Sequence, residues 1–275
     1  MQKLAGRVAV VTGASRGVGK GVALGLGEAG ASVYITGRSL EQPAAPDIEG
    51  TIQQTADEVT RLGGKGIAVC CDHCNDEEVE ALFSRVNSEQ QRLDILVNSV
   101  WGGYEAMIEN NEFTWGRPFW LQPISRWDAM FNAGVRASYV ASRFAAPVMI
   151  AQRNGLIVNI SFYAGRKYMG NAAYGISKAA TDRLSADMAI ELRDHNVVAV
   201  SLYPGMVRTE RVMKAAQFLD LSNSESPQFI GRAVAALASD PNVLQRTGQA
   251  LIAAELGIEY GFTDIDGKQP DPISI

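Results

Sequence analysis

Thr12-Gly-Ala-Ser-Arg-Gly-Val-Gly19 stands between an apolar run at 7–12 and a helical pattern at 17–29. The run before it, Arg-Val-Ala-Val-Val-Thr, has the length and the β-branched content of a buried strand. The glycines at 13, 17 and 19 let the backbone turn sharply and approach a ligand closely. The turn opens a helix, and the free N–H groups and dipole at a helix N-terminus favour an anion such as a pyrophosphate. Its spacing, G-x-x-x-G-x-G, differs from the G-x-G-x-x-G of the common dinucleotide fingerprint. Glycines alone would be a weak signal. Their place between strand and helix makes them the head of a βαβ unit.

The rest of the chain repeats that unit. Apolar runs at 32–36, 66–71, 93–98, 156–160, 197–202 and 250–254 alternate with helical patterns at 51–62, 76–87, 125–153, 172–193 and 227–238. Strands separated by helices pair in parallel through right-handed crossovers. The expected fold is α/β: a doubly wound, mostly parallel, Rossmann-like sheet flanked by helices on both faces. With no repeat or linker, residues 1–275 read as a single domain.

A net charge of -5 argues against a general nucleic-acid binder, and no apolar run reaches the roughly 18 residues of a membrane span. The chain reads as cytoplasmic, with no nucleic-acid or membrane partner. Cys70, Cys71, His73 and Cys74 invite a metal reading, but no second Cys or His pair stands at ligand spacing, so no metal is expected.

The chemistry concentrates in Tyr174-Gly-Ile-Ser-Lys178. Residues four apart share a helix face, so the phenol of Tyr174 and the ammonium of Lys178 lie on one surface. A phenol titrates near about 10, and a nearby positive charge lowers that value, which equips Tyr174 to exchange a proton with a carbonyl or alcohol oxygen.

Together with Thr12–Gly19 and Tyr174–Lys178, the motifs Cys71-Asp72, Asp94-Ile-Leu-Val-Asn98, Asn132 and Tyr203-Pro-Gly-Met-Val-Arg-Thr209 make the chain resemble a short-chain dehydrogenase/reductase of the compact, non-extended type. The resemblance covers nearly the whole length. The tail Tyr260-Gly-Phe-Thr-Asp-Ile-Asp-Gly267 is similar to one particular branch of that family.

The resemblance implies an oxidoreductase that moves a hydride between a nicotinamide and a carbonyl or alcohol substrate. Gly13, Ser15, Arg16, Gly17, Val18 and Gly19 would hold the pyrophosphate, with Asp72 at the adenine and Asn98 at the end of the fourth strand. Pro204, Gly205, Val207 and Thr209 would meet the nicotinamide amide and the pyrophosphate. A carboxylate ending the second strand would repel a 2′-phosphate. Gly37 stands there instead, with Arg38 beside it and Arg16 in the glycine turn, so NADP(H) is preferred and NAD(H) is the alternative.

In the family pattern Tyr174 is the proton donor, Lys178 holds the ribose and depresses the Tyr pKa, and Asn132 shapes a kink and water chain reaching Lys178. The hydroxyl donor is ambiguous in Asn159-Ile-Ser-Phe-Tyr163. Aligning the strand without a gap puts Phe162 at its place, whereas counting back from Tyr174 reaches Ser161. Alternation sends these two side chains to opposite faces. Ser161 is the expected donor, with Tyr163 as a substitute.

All four tryptophans, Trp101, Trp115, Trp120 and Trp127, fall in or beside an insertion at about 99–125. They suggest either an apolar or ring-bearing substrate pocket around Trp101, or loop packing and a subunit contact. Residues 210–226 read as a substrate lid. The family resemblance further implies a homodimer or homotetramer. A nucleotide-binding sensor or scaffold without turnover is the rival reading, and a sugar epimerase or dehydratase a third.

Overall fold

The computed structural model describes residues 2–42, 49–104, 107–109 and 112–273. Seven strands, β1 (Val8–Val11), β2 (Ser32–Gly37), β3 (Lys65–Cys70), β4 (Ile95–Asn98), β5 (Gly155–Ile160), β6 (Val197–Tyr203) and β7 (Ala250–Ile252), form one parallel sheet. Its order is β7-β6-β5-β4-β1-β2-β3. The winding direction reverses between β1 and β4, and at such a switch point the carboxyl ends of the strands diverge to leave a crevice.

The core follows from alternation along the strands. Ala9 and Val11 of β1 face one apolar layer, shared with α1 (Gly17–Glu28) and α8 (Pro227–Ser239). Val8 and Val10 face the other, shared with α3 (Asp76–Gln90) and α5 (Ala137–Gln152). Burying one such Val contributes about 1.5–3 kcal/mol. Capping sets the helix starts: Asn75 accepts the Glu77 N–H at 3.1 Å, and Asp76, Glu77 and Glu78 place negative charge in the first turn of α3. Thr51 caps α2 (Ile52–Arg61) in the same way.

The helix expected at 125–153 is interrupted. It runs as α4 (Ile124–Met130), a π-helical turn at Phe131–Arg136, and α5. The widened turn lies where Gly134 meets the Trp101 ring; a Cβ at Gly134 would sit 3.0 Å from Cζ3 of that indole. The run at 66–71 is an edge strand rather than a buried one, with Val69 and Cys71 its buried residues. After β7 the chain forms a further helix, α9 (Ala253–Tyr260), which Gly261 ends in the left-handed region at φ 71°.

Cys71 is buried and Cys70 and Cys74 are exposed; among the described residues no group of three His, Cys, Asp or Glu side chains could hold a metal ion. No helix among them is long and apolar enough to cross a membrane.

Candidate active site

The glycine turn folds as its sequence demands. Gly13 and Gly17 take φ of 65° and 56°, and a Cβ at Gly13 would lie 3.0 Å from the Ser99 carbonyl oxygen at the end of β4. A Cβ at Gly19 would lie 2.4 Å from the Gly13 carbonyl oxygen, so the turn closes only without side chains. Ser15 is buried, and Arg16 precedes α1 in extended backbone. The Arg16 Nη1 is buried without a partner among the described residues. The Gly17 N–H donates to Oε2 of Glu210 at 2.9 Å, which sets a carboxylate on the N-terminus of α1. A side-chain-free cradle, an orphaned guanidinium nitrogen and an anion already drawn to the helix end all fit a phosphate-bearing cofactor. Val18 and Gly19 continue the cradle into α1, and the Thr209 methyl lies 3.5 Å from where a Cβ on Gly17 would stand.

Arg38 is exposed directly after β2. Asp72 accepts the Cys74 N–H at 2.9 Å, and behind it His73 is buried with Nε2 2.7 Å from the Thr36 hydroxyl. Beyond Pro204, the Gly205 N–H donates to Oε2 of Glu225 at 2.7 Å. Val207 lies in a short parallel ribbon, Met206–Val207 against Ser224–Glu225. Asp264 from the tail accepts the Ser226 N–H at 2.7 Å and pairs with Arg208 at 3.0 Å, so the tail ties together the two ends of the expected lid. The segment at 210–226 begins with the short helix α7 (Glu210–Lys214), capped by Thr209.

Tyr174 and Lys178 share one face of α6 (Ala172–Leu192). Asn171 sets the start of that helix, its side-chain oxygen accepting the Tyr174 N–H at 3.0 Å. Its amide donates to the Trp115 carbonyl at 2.9 Å, tying the aromatic insertion to the same point. Both side chains, Tyr174 and Lys178, are 7% exposed. Lys178 donates to the Ile160 carbonyl at 3.3 Å, and its ammonium lies 4.1 Å from the Trp101 ring centroid and 5.9 Å from that of Tyr174. Burial pushes Lys178 down to about 8, with Asp182 partly opposing it. Burial, reinforced by the neighbouring Tyr104 phenol, holds Tyr174 well above its ordinary value. Tyr174 therefore carries its proton at neutral pH.

The strand-end hydroxyls are disposed differently. Ser161 is buried and donates to the Lys178 carbonyl at 3.3 Å, back into the α6 backbone. The Phe162 ring packs on Tyr174, centroids 6.2 Å apart. Tyr163 is buried in the core layer of α1 and α8. Asn132 lies exposed in the π-helical turn and lines an open outer groove with Tyr139, Arg183 and Leu184; Gly134, two residues on, faces Trp101 beside Lys178. Asn98 is buried, its amide donating to Ser142 at 3.0 Å and Asn159 at 2.7 Å, so its amide ties β4 to α5 and β5.

The insertion, described apart from 105–106 and 110–111, brings two tryptophans to the site. Trp101 and Trp115 stand edge-on to Tyr174 at 5.6 and 5.3 Å between centroids. Trp120 is exposed, and Trp127 stacks on Phe131 away from Tyr174. Tyr104 fills the remaining side, its hydroxyl donating to that of Tyr174 at 3.2 Å. Tyr104, Asn171, Gly134 and Glu210 carry no motif that singles them out; each is recruited by a contact across the fold.

Two buried groups near the crevice titrate in opposite senses. Burial pushes His73 down to about 4 from 6.5 and Glu225 up to about 7 from 4.5. Unfolding lets His73 take up a proton between pH about 6.5 and 4, so acidification across that window removes stability. Over pH about 7 to 4.5 folded Glu225 takes up the proton first, so acidification adds stability. Each shift spans about 2.5 pH units, roughly 3–4 kcal/mol at roughly 1.4 kcal/mol per unit. These two contributions should therefore nearly cancel between pH 6.5 and 4.5. In urea titrations Glu225→Gln should lose stability on acidification and His73→Gln should gain it; parallel profiles for both variants would contradict the assignment.

Comparison with known proteins bears on what this site is. Residues 7–220 match the short chain dehydrogenase family. Dehydrogenase/reductase SDR family member 1 of Mus musculus is 43% identical over 96% of this chain and 84% of its own length, and the Homo sapiens protein is 42% identical over the same shares. This is the branch to which the tail at 260–267 points. Among solved structures, a metagenomic short-chain oxidoreductase in complex with NADP is 31% identical, with a TM-score of 0.72 over 91% of this chain and 97% of that one. A 7 alpha-hydroxysteroid dehydrogenase complexed with NADH and 7-oxo glycochenodeoxycholic acid is 26% identical, with a TM-score of 0.75 over 91% and 94%. Glycine turn, parallel sheet and the paired Tyr and Lys thus recur in a chain whose sequence matches one family from β1 to beyond β6: it belongs to the short-chain dehydrogenases.

Proposed function

We propose that this chain is an NADP(H)-dependent reductase of apolar, ring-bearing carbonyl compounds. The observation that carries the reading is the buried pair on α6: a protonated Tyr174 beside the ammonium of Lys178, at the carboxyl end of the sheet. NADP(H), when bound, supplies or accepts the hydride. Gly13, Gly17 and Gly19 would admit the pyrophosphate, while Arg16 and Arg38 would meet the 2′-phosphate. Tyr174 gives its proton to the carbonyl oxygen as negative charge gathers there, and in the reverse direction takes it from the alcohol. Lys178 would offset the negative charge left on the Tyr174 oxygen once its proton has gone. The walls of Trp101, Trp115 and Phe162 exclude water and favour a flat, apolar substrate.

A panel of benzaldehyde, cyclohexanone, benzil and menadione, followed by NADPH absorbance, tests the reading. Turnover of at least one ring-bearing carbonyl with NADPH is expected. Cofactor binding without turnover across the panel would favour the sensor or scaffold instead.

Glu210 adds a prediction about affinity. Its carboxylate holds the Gly17 N–H that a pyrophosphate would use, so the lid helix and the cofactor compete for the same donor. Glu210→Gln removes the charge and weakens that hold. A helix-terminus charge interaction is worth about 0.3–1 kcal/mol, so NADPH should bind roughly two- to five-fold more tightly. Fluorescence titration reads this directly, and weaker binding by the variant would make Glu210 a cofactor ligand instead of a competitor.

A further inference from the structure

The carbonyl oxygen in such a reduction needs more than one donor, because the charge that develops on it is stabilised by preplaced hydrogen bonds. Tyr174 supplies one. The strand-end residues do not bring a second to it: the Ser161 hydroxyl is spent on the Lys178 carbonyl, Phe162 has none, and Tyr163 is buried in the far core layer. Among the described residues one other hydroxyl reaches the Tyr174 oxygen, that of Tyr104 from the loop after β4, at 3.2 Å.

Resting on the reductase reading, we propose that Tyr104 is a catalytic residue, the second donor to the substrate oxygen, in place of a hydroxyl from the end of β5. Two phenol oxygens 3.2 Å apart can both donate to one acceptor lying about 2.8 Å from each. The Tyr104 ring is held for the purpose. It packs against Trp101 at 5.7 Å and Trp115 at 5.5 Å between centroids, and its carbonyl accepts from the Arg211 guanidinium at 2.9 Å. Asn171 fixes the Trp115 carbonyl and the Tyr174 N–H together, which ties the positions of the two phenols to one residue.

The two phenols have different tasks. The hydride adds to the carbonyl carbon, the π pair moves to oxygen, and the proton that completes the alcohol comes from Tyr174. Tyr104 donates a hydrogen bond and keeps its proton. Lys178 serves Tyr174, its ammonium lying on the Trp101 and Tyr174 rings. Burial raises the Tyr104 pKa, so it stays a neutral donor throughout. The Phe162 ring, on the same side, completes a dry wall that strengthens both bonds.

Tyr104→Phe keeps the ring and removes the donor. With whichever panel carbonyl the wild type reduces fastest, kcat should fall roughly 10²–10³-fold, the scale of losing one oxyanion donor. NADPH affinity and thermal midpoint should stay near wild type. Phe162→Ser, which restores a strand-end hydroxyl facing Tyr174, should recover part of the loss when combined with Tyr104→Phe. A wild type without turnover would sink the reductase reading itself. An active wild type with an equally active Tyr104→Phe would overturn this proposal alone. So would a defect explained wholly by a downward shift of the pH profile for alcohol oxidation, since Tyr104 would then only tune Tyr174.

Discussion

Tyr174→Phe is expected to lower turnover by about 10²–10⁴-fold, the range that a positioned general acid contributes, while NADPH binding persists. The substitution deletes one oxygen and leaves the ring between Trp101, Trp115 and Phe162, whose centroids lie 5.3–6.2 Å away. Packing and the cap from Asn171 to the backbone N–H at 174 are untouched, so folding should not confound the result. Single-turnover kinetics against an NADPH titration separate the chemical step from binding. A variant that turns over near the wild-type rate would remove Tyr174 from its role and leave the Lys178 ammonium without a catalytic partner.

The second large effect concerns the cofactor. Arg16 has a buried nitrogen without a partner among the described residues, and Arg38 follows a strand that ends without a carboxylate. Each charge-assisted hydrogen bond to a 2′-phosphate is worth about 1.5–3 kcal/mol, or roughly ten- to hundred-fold in affinity. Replacing both by Leu should weaken NADPH by about 100-fold or more and change NADH by only a few-fold. Converting Gly37 to Asp is a less clean test, because a Cβ there would already lie 3.2 Å from the Ile52 Cγ2 and the buried methyl would have to move. Parallel titration of both cofactors decides it. Wild-type protein that binds NADH as tightly as NADPH would dismiss the two-arginine argument.

The sheet, its parallel sense and the placing of Tyr174 and Lys178 on one helix were legible because each rests on local periodicity. Four apolar residues in β1, the glycines after it and an i, i+4 pair on α6 need no distant partner to be recognised. The edge position of β3 was not legible. Which strand ends a sheet depends on chain reversal, and its apolar run reads like that of a central strand. The break at Phe131–Arg136 was hidden for a similar reason: the turn packs Gly134 against the Trp101 ring, a contact between separate elements. Alternation leads one to expect Ser161 and Phe162 on opposite faces; in the fold both meet α6, Ser161 through the Lys178 carbonyl and Phe162 through the Tyr174 ring, and alternation could not say which would lie against Tyr174. Two of the four tryptophans line the site and two do not, a division set by the fold of the insertion through Arg126 and Asn171 and not by the residue type.

Hydride transfer to a carbonyl carbon is tested most directly with isotopically labelled cofactor. The protein is incubated with a panel carbonyl and, in separate reactions, with each of the two NADPH species deuterated on one face of the nicotinamide. The alcohol is then read by mass spectrometry. Direct transfer predicts that one labelled species, and not the other, yields an alcohol with deuterium on the carbinol carbon, and that Tyr174→Phe suppresses its formation. Cofactor oxidised without deuterium reaching that carbon, or no alcohol formed from any member of the panel, would contradict it.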